Sequence, residues 1–349
     1  MRKPAVSNGI LVSATSTVLD RSPAVGSLRS NSCTPTDTCG WARRNGVISR
    51  TPARSAVSAR EPMAAGHLDV CEFGLTYFLR TFDVEQPPFL ALPIFPNRNF
   101  RHEALFVNAD SGIEKPADLA GKTVGEFALW GHDPGVWMKG ILAEEYGVRP
   151  EQMSWVIGGT NHPIPSFDWI GRPVPDGVQV RHAGDGQTLA AMLETGEIDA
   201  LLSVDVPQSL LDGSSTKIRR LFPDYPDVER DYYRRTGIFP MMHAVAIRRE
   251  LAAEPRLVES VYRAFAEAKQ IVQDRYRADA TKQHMSVITP WFSDLFARNR
   301  ELLGEDWWPY GLSANRKAVD TFLRYHHEQG LSRRRWTPED IFVPELLNT

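Results

Sequence analysis

Short apolar runs alternate with turn-forming clusters along this chain from about residue 66 onward. HLDVCEFGLTYFLR opens with a strand-like piece, and Gly74 then leads into an apolar segment carried by Leu75, Phe78 and Leu79. Pro87 and Pro88 mark a turn before a strand ending near Phe95, and 102–107 reads as the next strand. In GIEKPADLAGKTVGEF, Pro116 opens a short helical turn, Gly121 closes it, and 123–125 begins a new strand. The spacing of Val136, Trp137, Ile141, Leu142 and Tyr146 predicts an amphipathic helix over 134–146, capped by Gly147. Further strands are expected at 153–157, 178–182, 200–204 and 244–247, with helices over 188–194 and 257–277. The proline-rich stretch 160–177 reads as a long loop, and most of the chain after 277 as helix.

Strands and helices joined by short links predict an α/β protein with mostly parallel sheets covered on both faces. The order fits two lobes with a cleft between them. A first part of lobe 1 spans 63–115, lobe 2 spans 116–240, and 241–349 returns to lobe 1 and ends in helices. Residues 1–62 are different: rich in Ser, Thr, Arg, Pro and Gly, almost without acids, and lacking a sustained apolar period. Such a composition builds no core of its own, so a disordered or mis-assigned N-terminal segment is expected there.

Composition narrows the function classes. A formal net charge of -3 over 349 residues argues against a nucleic-acid binder, which would carry a basic stripe. Cys33, Cys39 and Cys71 are too few and too irregularly spaced for a disulfide framework. No apolar run approaches membrane-spanning length, and GILVSATSTVL is a poor export signal, so a cytoplasmic location is expected. The late helices leave a homo-oligomer open.

Candidate chemistry concentrates in LPIFPNRNFRHEALFV, where Arg98, Arg101 and His102 precede an apolar run. A guanidinium holds a carboxylate through a rigid pair of hydrogen bonds, and an imidazole can move a proton near neutral pH. Two anion-binding groups beside a proton carrier suggest a handler of small carboxylic acids. The plainer alternative is a strand edge with solvated charges.

LPIFPNRNFRH, GIEKPADLAGKTVG, TGIFPMMHAVAIRR, GEDWWPYGLSANR and FLRYHHEQGLS together resemble the 4,5-dihydroxyphthalate decarboxylase family. The resemblance covers about 66–345; GIEKPADLAGKTVG is shared widely among transporter binding proteins, whereas FPNRNFRH, GIFPMMH and DWWPYG are more particular. It implies a two-lobed fold of the type II periplasmic-binding-protein kind. It also implies non-oxidative loss of CO2 from a dihydroxylated aromatic carboxylate. The family's usual first strand is not recognisable here. On this reading Arg98 and Arg101 anchor the substrate, and His102, His243 and His132 are the candidate proton carriers. Glu72 and Asp205 can accept hydrogen bonds from ring hydroxyls, with Glu126 beside His132. Trp130 can wall the ring, and Gly158 and Gly159 allow close backbone approach to an anion.

An electron-rich ring needs no organic cofactor. A divalent metal is an option, with Glu72, His102, Glu126, His132 and His243 as candidate ligands, although no compact metal motif occurs. Two alternatives stay open. One is a solute-binding protein for an aromatic acid, thiamine-precursor-like or sulfonate-like ligand; the other is an inactive truncated homologue.

Overall fold

A computed structural model describes residues 38–44, 47–53, 68–165, 174–282 and 287–349, with side chains from 68 onward except Lys282. Strands β1 (Thr38–Arg44) and β2 (Val47–Ala53) form an antiparallel hairpin that pairs with β3 (Val70–Gly74). Helix α1 (Leu75–Arg80) and strand β4 (Phe89–Leu92) follow. Two strands therefore lie inside the 1–62 segment, as an extension of the β3 edge; the rest of that segment, like 166–173 of the expected long loop, lies outside the described residues.

The second sheet begins with β5 (Leu105–Asn108), then takes β6 (Thr123–Phe127), β7 (Ser154–Gly158), β8 (Gln179–His182), β9 (Ala200–Leu202) and β10 (Ile218–Arg220) in the spatial order β10-β5-β9-β6-β7-β8. Its β9-β6-β7-β8 half is parallel, joined through helices α2 (Asp133–Tyr146) and α3 (Leu189–Thr195). After α4 (Tyr225–Thr236), strand β11 (His243–Arg248) returns to the first sheet and inserts antiparallel between β3 and β4. Helices α5 (Pro255–Lys282), α6 (Phe292–Leu303) and α7 (Arg316–Glu328) complete the return. The α/β architecture with two sheets follows the sequence reading, and its parallel pairs lie in the second sheet.

Alternation explains why that sheet is apolar on both faces. Leu105, Val107, Trp155, Ile157, Ala200 and Leu202 face the main core, while Phe106, Val156 and Leu201 face a smaller cluster under α3 with Leu189, Met192 and Leu193. Helix α2 departs from the expected amphipathic form, because Asp133 through Leu142 are all buried. It is packed by α7 through Trp137 against Phe322 and Tyr325, and by the segment leading into β11 through the Trp137 indole N–H, which donates to the Met241 carbonyl at 2.7 Å. The N-terminus of α2 is thereby driven up to the ends of β3 and β11. Gly147, at φ 68°, ends the helix as expected.

A candidate active site at the meeting of two sheets

β11 pairs with β3 so that His243 lies opposite Gly74 and Val245 opposite Glu72. His243 and Glu72 are thus diagonal neighbours on one face of the sheet. The His243 Nδ1 meets Glu72 Oε1 at 2.6 Å, and its Nε2 stands 3.9 Å from Asp133 Oδ2 at the first position of α2. Asp133 in turn accepts the backbone N–H of Thr76 at 2.6 Å, tying α2 to the start of α1. Gly74 permits this approach, since a Cβ there would fall 2.6 Å from Asp133 Oδ2. Burial disfavours the charged imidazole of His243, but the Glu72 hydrogen bond and the charges of Glu72 and Asp133 outweigh it and raise its pKa. The His243 side chain keeps 19% of its surface exposed and Glu72 28%, so this pair is enclosed yet reachable.

Arg101 completes the cluster. Its side chain is buried, and burial pushes its pKa down to about 10 against the charges of Glu103, Glu229 and Asp133. It also bears electrostatically on His243. Among the described residues no carboxylate or carbonyl accepts from its guanidinium, and Nε is buried without a partner. A buried guanidinium in that condition is a receptor for an anion, because leaving such a charge unpaired is costly. Glu229 holds the turn that carries it, accepting the Glu103 backbone N–H at 3.0 Å.

Arg98 does not join Arg101. It donates to the Phe239 carbonyl at 3.3 Å, to the Pro309 carbonyl at 2.9 Å and to Asn315 Oδ1, and its guanidinium lies over the Phe95 and Phe239 rings. Its two terminal nitrogens are used on the 309–315 loop and the Phe239 carbonyl, which removes the paired fork a carboxylate needs, although its Nε, like that of Arg101, is buried without a partner among the described residues. His102 is not a proton carrier of this cluster either. It sits on a 3-10 turn (His102–Ala104) and not in a strand, with Phe222, Tyr232 and Tyr146 around its ring at 5.2, 5.5 and 6.4 Å. Burial, helped by Arg235, lowers its pKa to about 4, so the imidazole is neutral and packs as an aromatic ring.

Glu126 lies on β6, fully buried, and meets Lys139 Nζ through both oxygens at 2.8 and 2.7 Å. His132 Nδ1 and the Gly131 N–H add contacts to Oε1 at 3.1 and 3.2 Å. Burial would raise the Glu126 pKa, but the Lys139 charge and the His132 contacts override it and hold the carboxyl low. Trp130 walls Lys139 and not an open ring site: Nζ lies 3.5 Å from its ring centroid and 5.2 Å from that of Trp155. Gly158 and Gly159 also receive a different explanation, since a Cβ on Gly159 would fall 1.8 Å from the His162 carbonyl oxygen. Their close backbone approach is to the chain itself. Asp205 is exposed, forms a local turn with Ser203 through its backbone, and is not brought to the cluster.

The structure therefore gathers Glu72, Arg101 and His243, sets Glu126 and His132 beside them through α2, and leaves Arg98, His102, Trp130, Gly158, Gly159 and Asp205 elsewhere. Sequence reasoning missed Asp133 and Lys139. The acid directly before Pro134 was a signal for the first, and a lone lysine amid apolar residues for the second. Among the described residues no group of three or more His, Cys, Asp or Glu side chains is arranged to hold a metal ion, and no helix is long and apolar enough to cross a membrane.

No family model matches the chain. It is 35% identical over 285 residues to the 4,5-dihydroxyphthalate decarboxylase of Comamonas testosteroni, a match covering 80% of this chain and 84% of that protein. It is 33% identical over 168 residues to the 4,5-dihydroxyphthalate decarboxylase of Pseudomonas putida, covering 48% of this chain and 63% of that protein. Among solved structures, the periplasmic aliphatic sulphonate binding protein SsuA from Escherichia coli is 14% identical with a TM-score of 0.45, over 85% of this chain and 81% of that one. On the length and identity of the Comamonas testosteroni match, the chain belongs to the 4,5-dihydroxyphthalate decarboxylase family.

Proposed function

We propose that this protein is a carbon–carbon lyase that removes CO2 from 4,5-dihydroxyphthalate or a closely related dihydroxylated aromatic dicarboxylate, leaving 3,4-dihydroxybenzoate or its counterpart. The observation that carries the reading is the buried, unpartnered guanidinium of Arg101 within electrostatic reach of the His243–Glu72–Asp133 cluster. Curated relatives that bear this activity in their names support it.

Arg101 binds the carboxylate that is retained. The departing carboxylate lies next to it on the ring, over His243. The hydroxyl para to the departing group feeds electron density to the carbon that must be protonated. The His243 imidazolium, kept charged by Glu72, gives its proton to that carbon. The bond to the carboxylate then breaks, CO2 leaves, and the electron pair of the broken bond restores the aromatic ring. The neutral imidazole recovers a proton from solvent. A raised pKa suits this role, because the acid must be protonated at working pH. Burial of the cluster strengthens each of these electrostatic interactions.

The scheme uses no organic cofactor. Its test is to incubate purified protein with 4,5-dihydroxyphthalate, with and without added divalent metal, and to follow CO2 and 3,4-dihydroxybenzoate. Turnover that disappears in His243→Gln, with the variant folded, supports the scheme. Tight binding without turnover under either condition refutes it and favours a solute binder.

A further inference from the structure

One atom beside the cluster has no part in this scheme. His132 caps α2, is 5% exposed, and its Nε2 is buried with no hydrogen-bond partner among the described residues. Its other nitrogen is accounted for. Nδ1 meets Glu126 Oε1 at 3.1 Å, and Glu126 is held ionised by Lys139, so its carboxylate only accepts. Nδ1 therefore carries the hydrogen, as an outer-shell carboxylate commonly dictates for an imidazole. In the neutral ring this leaves a bare lone pair on Nε2. The first turn of α2 closes on the pair from the other side, since a Cβ on Gly135 would fall 2.0 Å from Glu126 Oε1 and 2.8 Å from His132 Nδ1. The next residue, Asp133, stands 3.9 Å from His243 Nε2.

We infer that His132 Nε2 accepts a hydrogen bond from a ring hydroxyl of the substrate, which makes His132 the residue that separates hydroxylated from plain aromatic dicarboxylates. The inference rests on the decarboxylase reading and adds to it. Arg101 grips a carboxylate and cannot distinguish phthalate from its dihydroxylated form, because both present the same anion. A lone pair in an enclosed position can, since only the hydroxylated ring brings a donor to it. The buried Glu126–Lys139 pair is then a positioning device. It fixes the tautomer of His132 without touching substrate.

Calorimetric titration of the whole protein with 4,5-dihydroxyphthalate and with phthalate tests this. The wild type is expected to prefer the hydroxylated ligand by about tenfold, the worth of one well-made hydrogen bond. In His132→Ala the ratio of the two affinities should fall to about one, and in His132→Gln, which keeps an acceptor, part of the preference should return. An undiminished ratio in His132→Ala overturns the inference and leaves the decarboxylase reading standing. Absence of binding of either ligand to the wild type overturns both. A second readout needs no variant: in histidine-labelled wild type, the nitrogen resonance of His132 Nε2 should be that of an unprotonated nitrogen and should move with 4,5-dihydroxyphthalate but not with phthalate. A protonated Nε2 at neutral pH, or an equal response to both ligands, overturns the inference.

Discussion

Replacing Lys139 by methionine keeps the aliphatic volume inside α2 and removes only the charge. Both Lys139 and Glu126 have 0% side-chain exposure, so the stranded carboxylate would be out of contact with water in this fold. It would retain His132 Nδ1 and the Gly131 N–H and lose the cation that meets both its oxygens. Breaking a buried pair in this one-sided way costs about 3–5 kcal/mol. Replacing both partners, as Glu126→Gln with Lys139→Met, leaves no charge behind, and the amide oxygen still accepts from His132 and Gly131; most of the loss should be recovered. Urea denaturation followed by tryptophan fluorescence reads both, since Trp130 and Trp155 flank the ammonium. The sign with pH is also fixed. The Glu126 carboxyl is held low in the folded state, so its contribution is present above its unfolded pKa and is lost as pH falls through the folded one. In Lys139→Met its folded pKa should rise, and the gap to wild type should narrow in acid. A single variant within about 1 kcal/mol of wild type, or a double variant no more stable than the single, would refute the reasoning.

Three further outcomes follow from the same geometry. Arg101→Gln should weaken dicarboxylate binding by roughly a hundredfold with little change in the denaturation midpoint, whereas Arg98→Gln should lower the midpoint, and the reverse pattern would reassign the two arginines. Glu72→Gln removes the contact that keeps His243 protonated, so the alkaline limb of the rate profile should move to lower pH; an unmoved limb would separate Glu72 from the proton donor. Burial pushes Glu229 up to about 7, so its contribution to stability is full below its unfolded pKa of 4.5 and is lost as pH rises through 7. Glu229→Gln should therefore gain on wild type above neutral pH, by up to about 3 kcal/mol. Parallel stability curves for the two proteins would remove Glu229 from that role.

The sequence by itself determined much of the order of strands and helices from β3 onward, because alternation, proline and glycine act over a few residues; it did not show β1, β2, β10 or α4. It also determined the family, through motifs that survive as local strings. Helix α2 shows the limit of that information. Its apolar spacing reads as one stripe, yet Lys139 on the expected polar side is buried, because a carboxylate on β6 waits there. The arginines show it again. Arg98 and Arg101 stand three residues apart in one motif and have the same chemistry in isolation. Arg98 meets acceptors more than 200 positions away, at Pro309 and Asn315, while Arg101 meets none among the described residues. His102 and His243 divide in the same way, one lowered by an aromatic enclosure and the other raised by carboxylates on β3 and α2. Only the tertiary structure decided these roles, because the free energy of a charged group depends on the solvent and partners around it. Those partners come from segments that local pattern cannot bring together.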